Sequence, residues 1–140
     1  MPDSSAVDAA IVAKLAGDAT LMALLPDGVY FDLAPEGSSA FVLVAQLAHH
    51  DEPMLGGQTA WEEFTYLVKA VAPGTSADVA KAAAARIHEV LEDALLMPDG
   101  YVDMRCARVE RIREQEIDDI NELRWNHRGG HYEVWVTPVE

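Results

Sequence analysis

The sequence predicts an α+β fold: one domain over residues 1–140, with a mostly antiparallel twisted sheet of about five strands, two short N-terminal helices and one long helix, all packed on one sheet face. Three observations carry this. In residues 61–71, Phe64, Tyr66, Val68 and Ala70 recur at every second position, the period of a strand with one apolar face. After the breaker Ala72-Pro73-Gly74, Ser76 stands at an N-cap position. Val79, Ala83, Ile87, Val90, Leu91, Ala94 and Leu95 then follow at helical spacing, which predicts the long helix over about residues 76–96. The remaining elements fall in the order two helices, three strands, this helix, two strands, without internal repeats, and such an order favours antiparallel neighbours under a shared helical layer.

Each element has its own local signal. Ser4 or Ser5 can cap a first helix in which Val7, Ala10, Ile11 and Leu15 share a face, and Gly17 ends it. Asp18 caps a second, residues 19–25, before Pro26-Asp27-Gly28 forces a turn into the short strand Val29-Tyr30-Phe31. Residues 32–39 read as a loop. Residues 41–47 are apolar almost without alternation, which predicts a strand covered on both faces, one by helices and one by another subunit. Residues 49–60, polar and holding Pro53 and Gly56-Gly57, read as a long mobile loop before the strand at Trp61 pairs back. Beyond the turn at 97–100, residues 101–113 resume strand character, with a parity slip that a bulge near Cys106-Ala107 would reconcile. Residues 115–125 read as an extended, partly irregular connection, 126–130 as a turn, and 131–137 as the closing strand.

Charge narrows the function classes. The net charge is −14, from 24 acidic residues against 10 basic. Residues 1–104 carry 16 acids and 4 bases, whereas residues 105–140 carry 8 acids and 6 bases, so the cations come late. This balance argues against tight nucleic-acid binding, which needs Lys and Arg on phosphates. No window approaches the roughly 18 apolar residues of a membrane span, so no membrane association is expected, and no secretory signal opens the chain, which predicts cytosolic synthesis. Cys106 is the single cysteine and reads as a buried thiol in a strand.

Catalytic signals are weak throughout. His49-His50-Asp51-Glu52 and His127/His131 gather ligand types without the spacing of a metal site, and no metal or cofactor is expected. There is no Gly-x-Ser-x-Gly and no phosphate-binding glycine loop, while the acidic pairs Glu62-Glu63, Glu92-Asp93 and Asp118-Asp119 read as solvated charges. His88 lies beside the apolar stripe of the long helix, as a half-buried packing residue would.

Several segments together resemble the tail-completion, or tail-terminator, proteins of long-tailed bacteriophages and gene transfer agents. They are Asp8-Ala9-Ala10-Ile11 through Leu21-Met22-Ala23-Leu24-Leu25, Gly28-Val29-Tyr30 with Ala34-Pro35, Phe41-Val42-Leu43-Val44, the strand at Trp61, the Ala-rich helix at residues 80–91 and the ending at residues 124–136. The resemblance covers nearly the whole chain and departs from the family pattern at residues 115–126. It implies a non-enzymatic virion protein forming a hexameric ring at the head-proximal end of the tail tube. Such a ring stops tube growth, meets the tail tube protein and the head-side connector, and lets DNA pass without specific binding. A head-side neck subunit is the alternative within the virion, and a small cytosolic ligand-binding domain the alternative outside it. Under the ring reading, subunit or partner contacts are expected at Phe41, Leu43, Leu47, His49, Asp51, Trp61, Arg105, Arg108, Arg111, Arg113 and Trp125.

Overall fold

The computed structural model describes residues 5–53, 59–92, 96, 98–118, 120 and 123–139. Its elements follow the predicted order: α1 (Ser5–Ala16), α2 (Ala19–Leu24), β1 (Val29–Phe31), β2 (Phe41–Pro53), β3 (Thr59–Pro73), α3 (Asp78–Leu91), β4 (Tyr101–Asp118) and β5 (Leu123–Pro138). The strands form one sheet in the order β1-β2-β3-β5-β4. The expected mostly antiparallel sheet is mixed, because β1 runs parallel to β2 while the other pairings are antiparallel. β5 inserts between β3 and β4, so α3 joins two strands that point the same way with a third between them.

The core forms where the strand period meets the helical period. Glu62, Phe64, Tyr66, Val68, Ala70 and Ala72 of β3 are all buried on one face. Against that face α3 sets Ala80, Ala83, Ile87 and Leu91, and α1 sets Val7, Ile11 and Leu15. The alanines let the α3 backbone approach the sheet closely, and each large apolar side chain so buried contributes roughly 1.5–3 kcal/mol. Two tyrosines bridge the layers. The Tyr66 hydroxyl donates to the Asp8 carboxylate of α1, and burial, reinforced by that bond, raises its pKa far above the ordinary phenol range. Tyr132 of β5 lies 3.4 Å from Nδ1 of His88 on α3, and chiefly through burial its pKa is pushed up to about 12.

α2 is anchored by its cap. Asp18 Oδ2 accepts from the Leu21 amide at 2.9 Å and from Arg86 Nε at 2.8 Å, while Oδ1 accepts from Arg86 Nη2 at 2.7 Å. One carboxylate thus serves as helix cap and as the bidentate partner of α3. The Arg86 guanidinium holds the Asp18 pKa at about 2, below the usual 3.8.

Several expectations are corrected. The loop assigned to residues 49–60 is largely strand: β2 runs to Pro53, β3 begins at Thr59, and the pairing continues through Asp51↔Glu62 and Glu52↔Trp61. Only residues 54–58 lie between them, outside the described set. Polar composition misled here because paired strands satisfy their backbone by cross-strand bonds whatever their side chains. Residues 115–118 and 123–125, expected as part of an extended, partly irregular connection, are extended and regular: they are the paired ends of β4 and β5. Residues 126–130 are not a turn: they form the middle of β5, between β3 and β4. The paired glycines there answer to crowding, because a Cβ on Gly129 would meet the Val68 carbonyl oxygen at 2.1 Å and one on Gly130 the Glu110 carbonyl oxygen at 2.6 Å.

α3 is shorter than expected, ending at Leu91 with Glu92 in extended conformation, and Ala94 and Leu95 lie outside the described residues. Its N-cap position is Ala77, while the expected cap Ser76 still accepts the Asp78 amide on its Oγ at 3.2 Å; the buried row starts at Ala80, with Val79 45% exposed. Buried Asn126 also holds this end, its Nδ2 donating to the Gly74 and Ser76 carbonyls at 3.0 and 3.1 Å. The bulge in β4 falls at Val109, between Arg108 and Glu110, beyond the expected Cys106-Ala107. Met104 and Cys106 keep their places in the core, and the extra residue is the exposed Val109. The apolar run at residues 41–47 has Val42 and Val44 in the core, whereas Leu47 is 52% exposed, so the chain itself fully buries only the helix-side residues. β1 pairs with β2 only over Val42–Val44, and β4 forms the other margin of the sheet.

Two outcomes test this construction. Gly129→Ala is expected to destabilise the protein by about 1–3 kcal/mol through overpacking, read from urea denaturation midpoints. Asp18 has a depressed folded pKa, so its charge stabilises the fold fully above 3.8 and that contribution fades as pH falls through about 2. The stability difference between wild type and Asp18→Asn should therefore be constant near neutrality and shrink across that acid window.

Candidate assembly surfaces

With the core on the helix side, the opposite face of the sheet is open. There Phe41 and Leu43 of β2, Val71 of β3 and Trp125 of β5 come together under the β1–β2 loop, whose Leu33 is 82% exposed. They form an apolar groove of about 310 Å³. The loop is held by Asp27, whose carboxylate accepts from the Ser39 and Ala40 amides at 2.6 and 3.1 Å. Glu116 and His127 close the rim, with His127 Nε2 3.1 Å from Glu116 Oε2. The structure thus brings Trp125 together with Phe41 and Leu43, more than 80 positions away in sequence, and all three are among the expected contact residues.

A second group sits at the far end of the β2–β3 arm. Leu47 is the bulged residue between Gln46 and Ala48. The His49 ring stacks on Phe64 with centroids 4.1 Å apart, and its Nε2 lies 3.3 Å from Glu62 Oε1, which gives this buried carboxylate a partner. Trp61 is 42% exposed and donates from Nε1 to Glu63 at 3.2 Å. Asp51 belongs to β2 opposite Glu62. None of these residues meets the Phe41–Trp125 groove.

The arginines divide by strand parity. Arg105 stands opposite Trp135 on the open face and is exposed. Arg108, Arg111 and Arg113 share the helix face because the bulge at Val109 restores their phase, and with Lys81, His88 and Arg128 they line a groove between α3 and the β4–β5 ribbon of about 730 Å³. Gly130 makes room for the Arg108 stem, which passes within 2.9 Å of where a Cβ would stand. Lys81 and Arg128 were missed in the sequence. Arg128 lies in the segment read as a turn, and the helical spacing of Lys81 to Ala84, Ala85 and His88 was the available signal.

Among the described residues, no group of three or more His, Cys, Asp or Glu side chains is placed to hold a metal ion, His127 and His131 pair with Glu116 and Glu110, and Cys106 is buried in β4. No described helix is long and apolar enough to cross a membrane.

Comparison with known proteins gives these surfaces a context. No curated protein matches the chain. Among solved structures, a chain from the virion of a native gene transfer agent particle is 22% identical over 96% of this chain and 96% of that one, with a TM-score of 0.68. A second solved chain, 14% identical over 100% of this chain and 99% of its own, superposes with a TM-score of 0.65. At these identities the likeness is one of fold. The family model for tail completion protein gp17 matches residues 9–137. The chain therefore belongs to the tail completion protein gp17 family and is a structural protein of the virion tail.

Proposed function

We propose that this tail protein assembles as a closed homo-oligomeric ring, six subunits in the form the family resemblance implies, at the head-proximal end of the tail tube. There it ends tube growth, contacts the tail tube protein on one side and the head-side connector on the other, and leaves a passage for DNA. The observation that carries the ring is the open apolar groove of Phe41, Leu43, Val71 and Trp125 on the sheet face away from the helices. A partly exposed apolar surface built across three strands and a pinned loop is suited to burial against another subunit. The net charge of −14 supports passage without adhesion, since a predominantly acidic ring repels phosphates.

Light scattering over a range of concentrations tests the assembly. Wild-type protein is expected at about six times the 15.3 kDa subunit mass, and a strict monomer throughout the range would overturn the self-assembled ring. Leu43→Asp places a charge in the groove without touching the helix-side core. It is expected to keep the wild-type circular dichroism while weakening assembly at least about tenfold; unchanged assembly would remove this groove from the interface.

A further inference from the structure

The cations of this acidic chain are not scattered. Lys81, Arg108, Arg111, Arg113 and Arg128, half of its 10 Lys and Arg residues, line the single groove between α3 and the β4–β5 ribbon. Arg113 and Arg128 are direct cross-strand partners, an arrangement of like charges that destabilises a sheet when nothing compensates it. Among the described residues, Lys81, Arg111, Arg113 and Arg128 enter no ion pair, and Glu89, the carboxylate on the groove wall, is engaged by Arg86 at 2.9 Å. The helix side of the groove is apolar, from Ala84 and Ala85. A concave site with several uncompensated guanidinium groups and an apolar helix side fits a short segment bearing both carboxylates and an aliphatic side chain.

We propose that this groove receives the β4–β5 connection of a second copy of the chain, residues 118–122, and that this contact repeats around the ring; the inference rests on the ring assembly proposed above. That connection reads Asp118-Asp119-Ile120-Asn121-Glu122, three carboxylates in five residues around Ile120, which is 93% exposed. Carboxylates answer the arginines, and Ile120 answers the alanines. The segment must come from another copy. Asp118 follows Arg113 by five residues on the same strand, and a rise of about 3.3 Å per residue carries it roughly 16 Å beyond that arginine. The groove and the β4–β5 connection of one chain are different patches, so their union is head-to-tail and generates a ring when the rotation closes.

Charge reversal on each side separates this contact from other modes of assembly. Arg111→Glu with Arg113→Glu makes the groove acidic, and Asp118→Lys with Asp119→Lys makes the connection basic. Each double variant alone carries like charges on both sides of the contact and is expected to lose assembly at least about tenfold while keeping its circular dichroism. Mixed one to one, the two variants complement each other at both junctions and should recover the wild-type mass as an alternating assembly. Arg111→Gln with Arg113→Gln introduces no repulsion and should weaken assembly by a smaller factor that grows with salt. Wild-type assembly by each reversed variant overturns the groove contact while leaving the ring intact. A one-to-one mixture that stays apart overturns it too, even if wild type proves monomeric and the ring itself fails. Normal assembly of the groove variant together with loss of binding to a short DNA duplex would assign the groove to phosphates instead.

Discussion

The architecture depends on the two-residue period of β3. Its even-numbered residues from Glu62 to Ala72 all face the helices, and the strand is paired along most of its length on both sides, by β2 and by β5. A slip of one residue would expose Phe64, Tyr66 and Val68 together, so this strand fixes the register of both neighbours at once. It also fixes where the helices sit. Tyr66 reaches Asp8 of α1, while the row Ala80, Ala83, Ile87, Leu91 lies against the same sheet face. The open face then follows by exclusion, since whatever alternates away from the helices has no cover within the chain.

Both surfaces discussed above are consequences of that phase. On the open side, odd-numbered residues of β3 and β5 and the outward residues of β2 supply an apolar groove. On the helix side, β4 and β5 run past the end of the core, and their inward positions, no longer covered by apolar helix residues, carry arginine. The bulge at Val109 matters for this reason. Without the extra residue, Arg111 and Arg113 would fall on the same side as Arg105 and the basic groove would be divided between two faces.

The sequence made the core legible and the arms illegible, for one physical reason. Where a segment buries one face, its period is written in apolar residues, as in β3, in α1 with Val7, Ile11 and Leu15, and in the Asp18 cap of α2. Where a strand stands on cross-strand hydrogen bonds with little burial, composition no longer encodes conformation. Residues 49–53 looked like loop and are strand, and 115–118 looked like an irregular connection and are the regular end of β4. Asn126 and Gly129-Gly130 carried the opposite error, since turn-forming residues at these positions serve close backbone approach and a buried amide tie to Gly74 and Ser76. Of the candidate contact residues, Phe41, Leu43 and Trp125 converge, as do Arg108, Arg111 and Arg113, but strand parity sends Arg105 elsewhere, and parity could not be assigned until the bulge was located.

The short β1 leaves a consequence for the free subunit. Because it shields β2 only at Val42–Val44, the stretch from Ala45 onward has no strand beside it on that margin among the described residues, and β4 ends the sheet on the other margin. A sheet with two bare margins is a template for runaway stacking of copies. Here both margins carry ionisable residues, His49 and His50 on one and alternating arginines and glutamates on the other, in a chain of strongly negative net charge. Like charge opposes such stacking, and that opposition fades as pH approaches the sequence isoelectric point near 4.5.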